Sequence, residues 1–427
     1  MSTLKVNKLR DTAGSADAIT LDPNGGAVLA GVTTVTSVKV GAAVTISESG
    51  IEASGIGITV ANINGGQIGG RRNLMINGAM AVAQRGTSAS SSGYQTVDRF
   101  YLNTDGVDEE PTQAQVDVSS GTTPYTEGFR KAYKITNGNQ TSGAGSADNI
   151  IIQYYIEAQD IACSGWNYTS ASSFITLSFW VKSSVAQNYF GRLMAIDGTQ
   201  QNFPFETGSL TADTWTKIIK TIPGNSNIQV DNDENRGLSV EFCMFRGTDK
   251  TGSVTLNQWA AYSSATRIPD MTSTWYTTND ATFEITGVQL EVGPQATPFE
   301  HRRLDDELFA CQRYYCELFK RQSGESQYSF VGLQAYGTQN LYGTLGFFPR
   351  KMRSLPTITM VGTLKFSDKE GGNIHEYTSG TMGNAVTRET VGTHGVGFGA
   401  NRFIQGGFAG GFTDTDGSDY IKVDAEL

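Results

Sequence analysis

Three carboxylates, Asp414, Asp416 and Asp419, bracket Gly417 and place oxygens at alternate positions around a turn, which is half of a calcium-loop pattern. The distal bidentate Glu is missing at the proper spacing, so the stretch reads as a turn before the last strand. Asp231-Asn232-Asp233-Glu234 receives the same reading. His301, His375 and His394 stand alone in the sequence, and only three copies of one of them meeting on a trimer axis would make a metal site. Four cysteines and three histidines offer no zinc spacing. Cys311 and Cys316 lie five apart on an expected helix and face different ways, which argues against a bond between them. Together with Cys163 and Cys243 they are expected to be reduced, partly buried thiols.

Nothing in the chain assembles a nucleophile. There is no G-x-S-x-G elbow, and Cys163 and Cys243 sit in apolar, strand-like surroundings. Glu284, Glu291 and Asp305 fit a glycosidase pair no better than the carboxylates of any acidic chain of this length. No enzyme, no cofactor and no metal are expected. What the sequence does supply is aromatic surface. Trp166, Tyr168, Trp259, Trp275 and Tyr276 are candidates for stacking on sugar rings, whereas Trp180 and Trp215 lie within strands and read as core. Further along, glycine interleaves with Phe398, Phe403, Phe408 and Phe412, with Tyr336 and Tyr342 upstream. That stretch is either a recognition loop or a tightly packed hairpin.

The elements that must position these groups are strands. Charged residues make up only 17% of 427, and the 50 glycines suit many short strands joined by tight turns. A net charge of −10, with no basic stripe beyond Arg71-Arg72, Arg302-Arg303 and Arg350-Lys351-Met352-Arg353, excludes nucleic acid as a partner and disfavours anionic membranes. Those three basic runs read as solvated loop charge. The opening MSTLKVNKLRD has no apolar core for a signal peptide, and no run is long enough for membrane insertion. Assembly in a cytosol followed by release on lysis is the expectation.

Around Phe283–Phe319 the period changes. Phe283, Ile285, Val288, Leu290 and Val292 alternate as on a half-buried strand, with one slip at Gly287, and Gly293-Pro294 ends it. Leu304, Leu308, Cys311, Tyr315 and Leu318 then follow at four, three, four, three, the spacing of a heptad seam. Two heptads are few, so the competing reading is an ordinary helix packed on the β domain it follows. Before Arg71, short β-branched runs punctuated by glycine contain no Phe, Tyr or Trp and cannot close a core in one chain. Such units are expected to stack on copies of themselves.

Residues 285–302, ITGVQLEVGPQATPFEHR, with a helix ending in CQRYY, resemble a junction that recurs in tail-fibre and other virion proteins of tailed bacteriophages. RRNLMINGAMAVAQRGTSASSSGYQTVDRF, from Arg71 to Phe100, is similar to the opening of the same β domain, and the ending YIKVDAEL is a third matching segment. SSFITLSFWVKSS, WTKIIKTIPG and FEITGVQLEVG are similar, in that order, to strands of carbohydrate-binding jelly-roll modules, and FFPRKMRSLPTITM to a unit of phage-fibre C-terminal domains. The resemblance implies an all-β, trimeric fibre or receptor-binding protein. Residues 1–71 would form an intertwined shaft attached to a tail, baseplate or capsid protein. Residues 72–300 would be a jelly-roll sandwich, 301–320 a short trimerising helix, and 321–427 a β head that meets the receptor. The expected partner is a glycan or outer-membrane component of the host surface. A structural fibre without receptor role and a polysaccharide-degrading tailspike are the alternatives.

Overall fold

The computed structural model describes residues 71–320, 347–361, 387–390 and 420–427, with the backbone alone of further strands between residues 8 and 53 and between 328 and 413. The chain forms two compact units, Met1–Ala61 and Asn62–Leu427. In the first, Lys8–Arg10, Asp17–Leu21 and Ala27–Leu29 make one three-stranded sheet, and Ser37–Val40, Val44–Ser47 and Gly50–Ala53 make another. Each strand pairs antiparallel with its sequence neighbour. The last of the short β-branched runs before Arg71, residues 56–63, lies outside the described residues.

The second unit carries an antiparallel β-sandwich of two six-stranded sheets, consistent with the jelly-roll expectation. One sheet has the order Thr216–Pro223, Phe174–Ser183, Thr282–Val292, Lys131–Thr136, Thr112–Asp117, Ser88–Ala89. The other runs Ala260–Ala261, Gln201–Ser209, Asn188–Ala195, Arg236–Arg246, Asn149–Glu157, Tyr101–Asp105. The alternation visible in the sequence is the alternation of the core. Leu177, Phe179 and Val181 of one sheet meet Val240, Phe242 and Met244 of the other in a single buried cluster, with the rings of Phe179 and Phe242 4.9 Å apart. Among the described residues no helix is long and apolar enough to cross a membrane.

Thr282–Val292 has the bounds the sequence predicts, and its slip at Gly287 is a β-bulge. Pairing with the neighbouring strand jumps from Ser178↔Gln289 to Trp180↔Thr286, so two residues oppose Phe179. Gly287 has φ 61°, and a Cβ there would lie 2.6 Å from the Phe129 ring, so both backbone and space require glycine. The outer face of this strand is polar yet buried, because residues 294–302 fold back over it. Glu291 accepts from the Thr297 amide and hydroxyl at 2.8 and 2.6 Å, and Gln289 accepts from the Glu300 amide at 2.8 Å.

The segments that carry the phage resemblance interlock. Asn73 donates to Val288 O at 3.0 Å and accepts from Leu290 N at 3.0 Å, while Leu74 N donates to Leu290 O at 2.8 Å. Glu307 accepts from Asn77 N at 2.6 Å, and Arg302 bonds Glu300, Glu307 and the Asn73 carbonyl. Two chain segments more than 200 residues apart thus lock one corner of the sandwich.

The helix expected over 301–320 is shorter: it spans Leu304–Cys311. Tyr315–Leu318 is instead a strand, paired antiparallel with Tyr420–Asp424, which pairs in turn with Thr357–Val361. The heptad seam is therefore not a continuous helical face. Leu304 is 59% exposed and Leu308 half-buried, whereas Cys311, Tyr315 and Leu318 are buried, the last two by strand contacts. The helix buries Glu307, Ala310 and Cys311, and the run Tyr314-Tyr315-Cys316, rich in strand formers, takes up edge pairing with YIKVD. The expected division at 320/321 therefore separates strands that are hydrogen-bonded neighbours. Further strands, among them Leu333–Tyr336, Asn340–Phe347, Thr390–Gly397 and Phe408–Thr413, form a separate antiparallel sheet outside the sandwich.

Candidate functional site

The outward face of the second sandwich sheet, the one containing Arg236–Arg246, holds a hydrogen-bonded polar row. In Arg236–Arg246, Leu238, Val240, Phe242 and Met244 enter the core, so Ser239, Glu241 and Cys243 face away from it. Register then fixes a row across the sheet: Pro204 opposite Arg192, Arg192 opposite Glu241, Glu241 opposite Gln153, and Gln153 opposite Tyr101. The next row on the same face is Asn202, Met194, Ser239, Tyr155.

Glu241 is the hub. Arg192 reaches it with two parallel bonds, Nε to Oε2 at 2.6 Å and Nη2 to Oε1 at 2.7 Å. Arg246 Nη2 donates to Oε2 at 3.0 Å and Gln153 Nε2 to Oε1 at 2.8 Å. Burial alone would raise this carboxyl's pKa, but the two guanidiniums and their hydrogen bonds outweigh it and hold Glu241 well below the usual carboxylate range. Arg192 Nη1 also donates to Asn202 Oδ1 at 3.3 Å, and Asn202 Nδ2 donates to the Arg267 carbonyl at 2.8 Å. Tyr155 Oη donates to Gln153 Oε1 at 3.3 Å. Beyond this row Cys243 packs with Ile151, Phe190 and Ile268, and burial pushes its thiol up to about 11.

Half-exposed rings border the row. Tyr101 stands at one end, Tyr155 lies beneath the Arg236 guanidinium at 4.0 Å, and Tyr262 sits 5.4 Å from that of Arg192. Planar rings beside fixed polar groups suit a flat polyhydroxylated ligand, with ring faces stacking and the half-buried Gln153 amide and exposed Arg236 guanidinium bonding adjacent hydroxyls. The buried Arg192, Glu241 and Arg246 brace them from beneath. Because Glu241 is ionised and fully engaged, it is not placed to exchange a proton with a ligand.

Three of the aromatic residues singled out from the sequence serve packing. Trp275 and Tyr276 are fully buried, with Trp275 Nε1 bonded to Thr282 O at 3.1 Å and Tyr276 Oη to Asp148 at 2.8 Å. Trp166 is buried and donates to Ser173 O at 3.3 Å. These three present no free face to a sugar, because their rings fill the sandwich and their polar tips bond nearby groups. Tyr168 and Trp259 are half-buried against the core, Trp259 donating to Pro223 O at 2.7 Å. Tyr336, Tyr342 and Phe408 fall on strands whose side chains are outside the described residues, as are Phe398, Phe403, Asp414, Asp416 and Asp419. Among the described residues no group of three or more His, Cys, Asp or Glu is placed to hold a metal ion. The sequence reading passed over Gln153, Arg192, Glu241 and the three bordering tyrosines. The available signal was a single opposite charge in each of two otherwise apolar strands, NYFGRLMA and LSVEFCMF.

No family model matches the chain, and no curated protein does. Among solved structures, part of the chain is similar to the enzymatically active domain of tailspike protein 4 of bacteriophage CBA120, at 8% identity and TM-score 0.27, over 52% of this chain but only 21% of that one. A CBM4 carbohydrate-binding module is similar at 12% identity and TM-score 0.26, over 51% of this chain and 97% of the module. A putative sugar binding protein from Bacteroides thetaiotaomicron is similar at 11% identity and TM-score 0.28, over 52% of this chain and 100% of that one. At these identities and TM-scores none of the three speaks to this chain's ligand.

Proposed function

We propose that this chain is a virion fibre protein of a tailed phage that adheres to a glycan of the host surface, using the outward face of the second sheet. The adhesive reading is carried by the half-exposed rings of Tyr101, Tyr155 and Tyr262 beside the Gln153 amide, which the buried Arg192–Glu241 pair holds in place. Donors already held in place lose little freedom on binding, so even a shallow face retains most of its contact energy. The virion reading is supported by the three segments that resemble fibre proteins and that here hold one another.

In this reading residues 1–71 attach to a tail, baseplate or capsid protein through a shaft, and the protein is a homotrimer assembled in the host cytoplasm. It acts by adhesion, without a catalytic step. Three copies turn weak single-site affinity into useful avidity. The strands of 321–427 remain a second surface that faces the host.

Glycan-array screening of the full chain, followed by titration of the best glycan, tests the site. Tyr155→Ala and Tyr262→Ala are each expected to weaken binding roughly tenfold, about one stacking contact. Wild-type affinity in the double variant would remove this face from the reading. Release of sugar from purified host envelope would replace adhesion by cleavage.

A further inference from the structure

The three basic runs that sequence alone assigns to scattered, solvated loops come together in space. A cleft of about 770 Å³ is lined by Arg71, Arg302, Arg313, Arg350, Lys351 and Arg388, contributed by the start of the sandwich, the segments flanking the helix Leu304–Cys311, and the C-terminal region. Among the described residues, the carboxylates on its wall are Asp160 and Glu234. In a chain of net charge −10, six cations converge on this one concavity.

Several of the cations are already neutralised. Arg313 clasps Glu157 with two bonds of 2.7 Å, Arg302 pairs with Glu300 and Glu307, and Arg388 meets Glu234 at 3.0 Å. Lys351 reaches Glu389 at 3.3 Å across an exposed surface. Arg71 and Arg350 have no carboxylate partner among the described residues. Arg350 is half-buried, with its guanidinium 5.1 Å from the Phe309 ring centroid. Burial and the neighbouring charges of Arg313 and Arg71 push its pKa down, the condition of a cation that an arriving anion would relieve.

We propose that this cleft binds an anionic sugar segment, one carrying carboxylate, sulfate or phosphate groups, with Arg71 and Arg350 as its primary contacts. Guanidinium forks match the planar or tetrahedral oxygens of such groups, and a bidentate pair gives direction as well as charge. The volume lies in the range of pockets that enclose a small organic ligand and far exceeds the space of one inorganic anion. The cleft is separate from the outward face of the second sheet and stands whether or not that face binds sugar.

The test is calorimetric titration of the full chain with trigalacturonate, a heparin-derived tetrasaccharide, cellotetraose, inorganic sulfate and a short polyglutamate peptide. One or both anionic oligosaccharides are expected to bind, with affinity falling as salt rises, and cellotetraose is expected not to compete with them. Arg71→Ala/Arg350→Ala should weaken that binding at least tenfold, while Tyr155→Ala leaves it unchanged. Should the double variant misfold, Arg350→Lys keeps the charge, removes the fork, and should weaken binding severalfold. Failure of both anionic oligosaccharides to bind, or unchanged affinity in these variants, overturns the proposal. Inorganic sulfate binding as tightly as the oligosaccharides, or polyglutamate binding more tightly, overturns the assignment to a sugar.

Discussion

The guanidinium of Arg99 lies 3.4 Å from the centroid of the Tyr314 ring, so a residue at the end of the first resemblance segment is stacked on the one that follows the helix Leu304–Cys311. Arg99 is buried, sits at φ 73° in the left-handed region, pairs with Glu426 and donates to Tyr155 O at 2.7 Å. Tyr314 hands its hydroxyl to Glu157 at 2.5 Å, and Arg313 grips the same carboxylate. Arg85 repeats the motif one step away, 3.6 Å over Tyr315 and bonded to Asp424 and Glu426. The YIKVDAEL strand is thereby fastened to the sandwich by buried charge as well as by its ladder.

Arg99→Ala would leave Glu426 with Arg85 alone and empty the space over Tyr314. A loss of about 3–5 kcal/mol is expected, the usual scale for breaking a buried pair. Urea denaturation measures it. A change below 1 kcal/mol would show that the stack does not fasten the two parts.

Gly287→Ala tests the bulge. The substitution places a methyl against Phe129 on a backbone that a non-glycine residue adopts only under strain, so stability should drop by about 2–4 kcal/mol. A double-mutant cycle with Phe129→Leu should show positive coupling, since the shorter side chain yields room. Additive effects would attribute the loss to the backbone alone.

How much of this was legible follows from what spacing encodes. Thr282–Val292 could be bounded to the residue because alternation, a glycine slip and Gly293-Pro294 are local signals. The 4-3-4-3 spacing from Leu304 to Leu318 was real as a pattern, but spacing tells which residues share a face on a helix, not whether the helix continues. Here Tyr315–Leu318 finds a strand partner at 420–424, a contact no local period reports. Gln201–Ser209 and Thr112–Asp117 carry weak local signals, since Pro204 argues against a strand and Thr112–Asp117 is polar. Trp275 and Tyr276 were read as surface because ring type does not say which way a ring points. The site itself rests on register. Arg192, Glu241 and Gln153 are far apart in the chain, and only pairing brings them into one row.

Structural and contact roles on the outward face should separate cleanly. Glu241→Gln strands two buried guanidiniums, and a loss of roughly 3–5 kcal/mol in stability is expected. Tyr155→Ala removes a half-exposed ring and should lower stability by about 1 kcal/mol while abolishing most glycan affinity. Thermal melts and glycan titration on the same samples distinguish them. If Tyr155→Ala destabilised as strongly as Glu241→Gln, the ring would belong to the scaffold.

Stability should pass through a maximum at mildly acidic pH, because two sets of buried carboxyls pull in opposite directions. Burial raises Asp98 to about 6, even with Arg85 4.0 Å away, since that guanidinium is shared with Asp424 and Glu426. The folded chain therefore holds this proton more tightly than the unfolded one. The contribution is fully present below the ordinary Asp value near 4 and is lost as pH rises through about 6, roughly 3 kcal/mol across that window. Glu241 and Glu157 behave oppositely. Burial opposes their ionisation, but Arg192 and Arg246 for one, and Arg313 and Tyr314 for the other, hold both below the usual range. Their contribution is present above about 4.5 and is lost as pH falls below it. Melting temperature recorded from pH 3 to 8 should rise on descending from 7 to 5 and fall again below 4.5. In Asp98→Asn the upper limb should flatten while the acid limb stays. An unchanged slope between pH 5 and 7 in that variant would mean that Asp98 does not carry the proton.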